Sequence, residues 1–464
     1  MPLLLPALPA DIILEIVSFL DLPDPILLLL TCSALYRLSH ARSFWISILE
    51  ETRRKYPLPC TPDADLSSFT LEDLKQLASA YQRLQFNWNR GIPQIARPIT
   101  SDPLPALATI LVNLHGTNVF VLEMGTQILC WDSEIAKPLP FPAIEVGDIE
   151  LCYPIETPTL CTILILAETS SHSSRIYILT ITHELKKVTS FTSKVLQPPD
   201  VEGDFKFLFL SQGVLGYMAV TEAEPHSTIA LCSADSNPPL YTTHIMRNQP
   251  PVSSEMHLTD CFVYQDHVYS LIEDGKSVQI QHIPRSSLLS GHCENVRHYT
   301  CDIDISPFPI CDPLCSLSPG TAAYGVGAVF VRLEWDDEVG SNCTTSFTWL
   351  PTSLTHTEDD GRSSPLTFGS SCITYRVDGM LENDDLVWLD HSGFEIVAVV
   401  NSINFSPRLI LLRYHPATKS VSRHYLVVPD KINLRDASGL CVDEATGSLY
   451  IIHSEGVFST LKYV

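Results

Sequence analysis

Three groups of side chains in this chain are of the types that chemistry uses. Cys311-x-x-x-Cys315, with Cys301 nearby, is the closest approach to a zinc motif among the 14 cysteines. A structural zinc site needs four converging ligands, usually as short paired spacings, and here no second cysteine pair or suitably spaced histidine completes the set. Free thiols in a reducing compartment are the better reading. His391, His415, His424 and His453 gather late in the chain. Imidazoles can take a metal or a proton, but lone histidines on strand edges are more often structural. There is no HExxH, GxSxG or Walker A pattern. No catalytic residue, metal or cofactor is therefore expected.

The third group is acidic: Glu334-Trp335-Asp336-Asp337-Glu338, Glu358-Asp359-Asp360 and Glu382-Asn383-Asp384-Asp385. These runs are either solvated loop charge or a surface that attracts a basic segment of a target protein. The whole chain carries 29 Lys+Arg against 53 Asp+Glu, a formal charge of -24, nearly all of it beyond residue 90. Phosphates reward clustered Lys and Arg, so nucleic acid is excluded as a partner. The long stretches 285–320 and 351–371 are the loops expected to carry specificity.

The elements that position these groups divide the 464 residues in two. From Pro9 to about Leu84 the apolar spacing is helical. Ile12, Ile13, Ile16, Val17 and Leu20 recur at three and four residues, with Pro9 at the start and Asp11 near the positive helix end. Asp24 reads as an N-cap before Pro25, opening a second helix through about Leu38 whose Leu27, Leu28, Leu30, Thr31, Leu35 and Leu38 leave it apolar on more than one face. A third helix begins after Ser43, carries Trp45, Ile48, Leu49 and Thr52 on one stripe, and stops at Pro57 and Pro59. Thr70 with Glu72 and Asp73 starts a fourth, lined by Leu71, Leu74, Leu77, Ala78, Tyr81 and Leu84 and ended by the segment 86–91. The N-terminus lacks the basic region of a secretory signal, Asp11 and Glu15 interrupt its apolar run, and Ile26 to Leu30 is too short to cross a bilayer. A soluble intracellular protein, in cytoplasm or nucleus and away from membranes, is expected.

After Pro93 the period changes to two. Short β-branched and aromatic runs, such as Asn118 to Leu122, Cys161 to Leu166, Val214 to Val220, His267 to Ile272, Ala328 to Leu333, Phe394 to Val400 and Leu449 to His453, alternate with turn residues. They come in groups whose second strands fall near 119, 163, 215, 268, 328, 396 and 449, the repeat of a four-stranded propeller blade with inserted loops. About seven blades are counted, six or eight being compatible, and a pair of β-sandwiches is the alternative architecture. The last group has room for only three strands, so a fourth is expected from near Ile95 to Thr100, tying the ends of the ring together.

Residues 8–50 resemble an F-box at Leu8-Pro9, Asp11-Ile12-Ile13, Ile16-Val17, Phe19-Leu20-Asp21, Asp24 with Ile26 and Leu28, Thr31-Cys32-Ser33-Ala34-Leu35, and Trp45. Pro25 departs from the usual leucine, and Leu27 and Leu29 from usual polar residues. The helix 71–84 with Trp88 resembles the linker of fungal F-box proteins that carry a β-propeller. The resemblance implies an α+β multidomain chain: an all-α F-box trihelix at 1–56, a linker at 57–94 with a helix at about 70–84, and an all-β propeller at 95–464. It implies a non-catalytic substrate-recognition subunit of a Skp-cullin-F-box ubiquitin ligase. Its partners would be a Skp-type adaptor, through it a cullin, and a target protein that the sequence does not name. The adaptor-binding residues it implies are Leu8, Pro9, Ile12, Ile13, Ile16, Val17, Leu20, Ile26, Leu28, Cys32, Leu35 and Trp45. Two other readings are an F-box scaffold that delivers no target, and a ligand-binding or hydrolase propeller whose N-terminal helices are a cap.

Overall fold

The computed structural model describes the chain from Leu8 to Tyr463, apart from Asp21, short pieces of several connections and, between 248 and 394, everything outside the strands. Cys311, His391, the charges at 336–338, 358–360 and 382–385, and most of the two long loops lie outside the described residues.

Helix α1 (Ala10–Ser18) begins on Pro9, whose carbonyl accepts from Ile13 N at 3.2 Å. Helix α2 (Pro23–Leu29) differs from expectation at both ends. Pro23 itself takes the first helical position after Leu22, with no side-chain cap, so Asp24 lies inside the first turn as favourable negative charge. The helix stops at Leu29 instead of running to Leu38. Thr31 Oγ1 donates to the Leu28 carbonyl at 2.7 Å, and Cys32 is extended (φ -158°). A hydroxyl that bonds the preceding turn competes with the helix ladder. The chain restarts as α3 (Ser33–Tyr36), a 3-10 turn (Arg37–His40) and α4 (Arg42–Lys55).

Helix α5 (Leu71–Trp88) has the capping box expected at Thr70. Thr70 Oγ1 accepts from Asp73 N at 3.2 Å, and the Asp73 carboxylate accepts from Thr70 N at 3.0 Å. It runs four residues beyond the expected Leu84, because Trp88 is needed in a second core. Its first half, Leu74, Leu77, Ala78 and Tyr81, packs with Ile13, Val17, Leu35, Phe44, Trp45 and Leu49 of the N-terminal helices. Its second half, Leu84 and Trp88, packs with Leu411, Leu426, Leu461 and Tyr463 of the β region. One continuous helix thus belongs to both cores.

Among the described residues the strands form seven antiparallel sheets. Their second strands begin at Val119, Leu160, Val214, His267, Val326, Glu395 and Ser448. Five sheets carry the same irregularity, a one-residue bulge near the start of the first strand: at Ile110/Val112, Ile149/Leu151, Phe205/Phe207, Leu258/Asp260 and Ala437/Gly439. Bulges add twist and bend. The repeat is written in the backbone where side-chain identity has faded.

First strands of neighbouring sheets touch. Thr109–Asn113 meets Asp148–Glu156, which meets Asp204–Ser211, then His257–Tyr264, then Leu314–Ser316. Val387–Leu389 meets Ala437–Asp443, which returns to Thr109–Asn113. The fifth and sixth sheets join through Phe347, Trp349 and Val377 against Ile396, Ala398 and Ile410. This cyclic order makes the domain a β-propeller; two stacked sheets of a sandwich do not give it. The last sheet borrows its outer strand from Thr100–Pro103, paired with Val457–Lys462 (Thr100 opposite Thr460, Asp102 opposite Phe458). The strand lies at the end of, and just after, the stretch in which it was expected, and Ala96 N adds a bond to Lys462 O at 2.8 Å. No helix among the described residues is long and apolar enough to cross a membrane.

Candidate functional site

The N-terminal helices put their apolar residues to two uses. Ile13, Val17, Leu22, Leu29, Leu35, Phe44 and Trp45 point inward and form the small core with α5. Trp45 is locked there: its Nε1 donates to Ser39 O at 2.9 Å, and its ring meets Phe44 edge-on at 5.7 Å between centroids. The entry to α5 is tied on as well, because the Arg42 guanidinium at the start of α4 donates to the carbonyls of Phe69, at 2.8 Å, and Ser67.

A second set faces outward. On α1 and its end, Ile12 and Phe19 are exposed, one stripe at helical spacing with half-buried Ile16 between them. On α2 and its end, Leu27 and Leu30 are exposed three residues apart, and Tyr36 of α3 is exposed beyond them. Phe19 leaves 76% and Leu30 68% of its surface to solvent, so most of each side chain's apolar area stays in water.

The twelve residues named from the sequence divide accordingly. Ile12 and Pro9 are exposed, and Leu8, Ile16, Leu20, Ile26, Leu28 and Cys32 are half-buried. Ile13, Val17, Leu35 and Trp45 are buried side chains of the helical core and shape the surface without forming it. Phe19, Leu27, Leu30 and Tyr36 are the exposed members that the sequence reading left out of the site. Their signal was present: an apolar residue left over after one inward stripe per helix has been assigned.

The site is held at a set position relative to the propeller. Asn87 near the end of α5 donates to the carbonyls of Gln94, at 2.8 Å, and Tyr463, while Gln94 N donates back to Asn87 Oδ1 at 3.0 Å. Trp88 lies 5.1 Å from the Tyr463 ring, and Tyr463 Oη donates to Val427 O at 3.0 Å. Arg413, from strand Phe405–His415, reaches Glu395 Oε1 at 2.8 Å, Gln85 Oε1 at 2.9 Å and Asn89 Oδ1 at 3.2 Å. A guanidinium at a helix C-terminus also meets the negative end of the dipole.

The other sequence candidates lie elsewhere. His415 and His424 share the Ser422 hydroxyl, at 2.8 and 3.0 Å, and His453 bonds Ser459 Oγ at 3.1 Å in another sheet. Burial holds all three imidazoles below their usual pKa, with Arg413 adding to the effect on the first two. The seven cysteines whose side chains are described are free thiols, and burial pushes Cys60 up to about 11 and Cys130 and Cys152 up to about 12. Among the described residues no cluster of His, Cys, Asp and Glu is arranged to hold a metal ion.

No family model matches the chain, and no curated protein matches it. Solved structures that resemble it include the WD40 domain of SCAP from fission yeast, at 9% identity over 75% of this chain and 82% of that one, with a TM-score of 0.39. Another is the β-propeller domain of Cps50 (Swd1) from Myceliophteria thermophila, at 10% identity over 79% and 99%, TM-score 0.40. A third is the β-propeller domain of Nup133 from Vanderwaltozyma polyspora, at 9% identity over 80% and 100%, TM-score 0.37. The propeller assignment itself rests on strand order and on the cyclic contacts between sheets.

Proposed function

We propose that the chain is an F-box protein, the substrate-recognition subunit of a Skp-cullin-F-box ubiquitin ligase. Its N-terminal helices dock a Skp-type adaptor and its propeller, read as seven-bladed, presents a target protein. The observation that carries the proposal is the exposed apolar side chains Ile12 and Phe19 on one helix and Leu27 and Leu30 on the next, in a segment whose sequence resembles the F-box. Fully burying such a side chain contributes about 1.5 to 3 kcal/mol, and these four, exposed to 45%, 76%, 57% and 68%, supply about 4 to 7 kcal/mol together. Association costs about 4 to 15 kcal/mol in lost freedom, so the remainder falls to the half-buried rim of Ile16, Leu20, Ile26 and Leu28. Ile13, Val17, Leu35 and Trp45 act by holding the helices in register.

In this reading the protein makes no bonds. It raises the effective concentration of target lysines near a ubiquitin thioester held by the cullin arm, and a rigid link makes that concentration high. The continuous α5, with Arg413 and Asn87 at its end, supports such a link.

Co-purification with a Skp-type adaptor tests the reading. Leu20→Asp with Leu28→Asp is expected to abolish the association. Both positions are half-buried, so Phe19→Glu with Leu30→Glu, at exposed positions, serves as the pair that leaves the helical core intact. Retention of the adaptor by both double variants, with helical circular dichroism unchanged, would refute the proposal.

A further inference from the structure

We infer that the solvent face of α5 is a second docking surface, built to take an acidic amphipathic helix of a partner protein. The inference does not depend on the adaptor reading, since this face belongs to neither α1 nor α2.

The first argument is placement. Leu74, Leu77, Ala78, Tyr81, Leu84 and Trp88 turn one side of α5 into the two cores. At 3.6 residues per turn, Lys75, Ser79, Arg83, Phe86 and Arg90 fall on the opposite side, Arg90 lying just past the helix end. Lys75 is half-buried and the other four are exposed. From Lys75 to Arg90 the stripe runs about 22 Å, the length of roughly four helical turns. Because α5 is packed into a core at each half, this stripe is presented on a rigid rod.

The second argument is charge. The chain has almost two carboxylates for every Lys or Arg, yet from Leu74 to Ser101 it carries Lys75, Arg83, Arg90 and Arg97 and no Asp or Glu. Among the described residues no carboxylate pairs with Lys75, Arg83 or Arg90. Arg83 Nε donates within its own helix, to Ser79 O at 3.3 Å. A cationic stripe on a molecule of charge -24 steers an acidic segment to that place. The same overall charge opposes a polynucleotide, which needs many more phosphate contacts than three cations supply.

The third argument is the apolar anchor. Phe86 is 64% exposed, and Ile92, at the exit of the helix, is 56% exposed. The Arg90 guanidinium carbon lies 4.7 Å from the Phe86 ring centroid, stacked on the ring. A guanidinium held in this way loses less rotamer freedom when it grips a carboxylate. The surface beside it is open, since a Cβ added at Gly91 would meet nothing within 4 Å. An exposed aromatic ring beside an arginine is the composition from which interface hot spots are made. A helix laid along α5 with leucines on one stripe and glutamates flanking it covers Phe86 while its carboxylates reach Arg83 and Arg90.

The probe is a fluorescein-labelled helical peptide of glutamate, alanine and leucine, its leucines at three- and four-residue spacing. It is titrated with the full chain and followed by fluorescence anisotropy at low and high salt. Binding is expected at low salt, weakening as salt rises. Arg83→Glu with Arg90→Glu is expected to raise Kd at least about tenfold, and Phe86→Ser to weaken binding in the same direction. Melting temperatures near that of the unaltered chain establish that the variants fold. Arg83→Glu alone leaves the helix end and the ring contact intact, and is expected to raise Kd about threefold should the double variant fail to fold. Any of four results overturns the inference: no binding by the unaltered chain, undiminished binding by the charge-reversed variants, equal binding of the peptide with lysine in place of glutamate, or tighter binding of a single-stranded DNA oligonucleotide. A salt-sensitive dimer in sedimentation, broken by the same reversal and unaccompanied by peptide binding, would overturn it too, by making a second copy the occupant.

Discussion

Arg413 and Glu395 are nearly withdrawn from water, with 7% and 4% of their side chains exposed, so each charge depends on the other. Losing one partner of a buried pair strands the other, at a cost of about 3 to 5 kcal/mol. Arg413→Met is therefore expected to lower the unfolding free energy measured by urea titration by that much, whereas Arg413→Met with Glu395→Leu recovers most of the loss, since the carboxylate goes with its partner. An equal loss in the single and double variants would assign the effect to Gln85 and Asn89 instead. None of this network was legible in the sequence. The partners of Arg413 are 18, 324 and 328 residues away, and nothing local distinguishes it from a surface arginine. The late histidines stood out in the sequence for their chemistry, but in the fold His415, His424 and His453 each meet a serine hydroxyl, and burial holds them below the usual imidazole pKa. The buried thiols Cys130 and Cys152, pushed up to about 12, stay protonated at neutral pH and are poor nucleophiles.

Local structure was readable wherever short-range chemistry decides it. The Thr70–Asp73 capping box and the inward stripe of α5 follow from spacing alone. The break after Leu29 was not readable, because the leucines continue at helical spacing while one threonine hydroxyl and one extended cysteine end the helix. Outer strands such as Lys187–Leu196 were harder to see than inner ones, since their mostly exposed, Lys-, Ser- and Thr-rich faces resemble loop composition. The tight entry to the second sheet turns on Gly147, at φ 93°, where an added Cβ would stand 2.2 Å from the Glu168 carbonyl oxygen. Gly147→Ala forces both a left-handed backbone and a main-chain clash. It is expected to destabilise the protein by more than about 1 kcal/mol and to speed hydrogen exchange in Asp148–Glu156. Unchanged exchange there would show that the turn relaxes at no cost.

A ring of sheets has no natural end, and this one is closed by joining the two ends of the propeller, Thr100–Pro103 on Val457–Lys462. Replacing 97–103 by a glycine-serine segment of equal length keeps the chain connected but removes the strand's side chains and its β propensity. Hydrogen exchange is then expected to rise in Val457–Lys462 and to stay low in Leu160–Glu168, far around the ring; no change at Val457–Lys462 would mean that the backbone alone suffices for closure. The sequence by itself determined that helices precede a repeating β region, where most second strands begin, and that the first fifty residues hold more leucine than they can bury. Those properties live in periodicity and turn chemistry, which act over a few residues. Only the tertiary structure decided which of those leucines stay outside and that α5 belongs to two cores at once. These depend on which surfaces the chain brings together across hundreds of residues, and no local pattern encodes that.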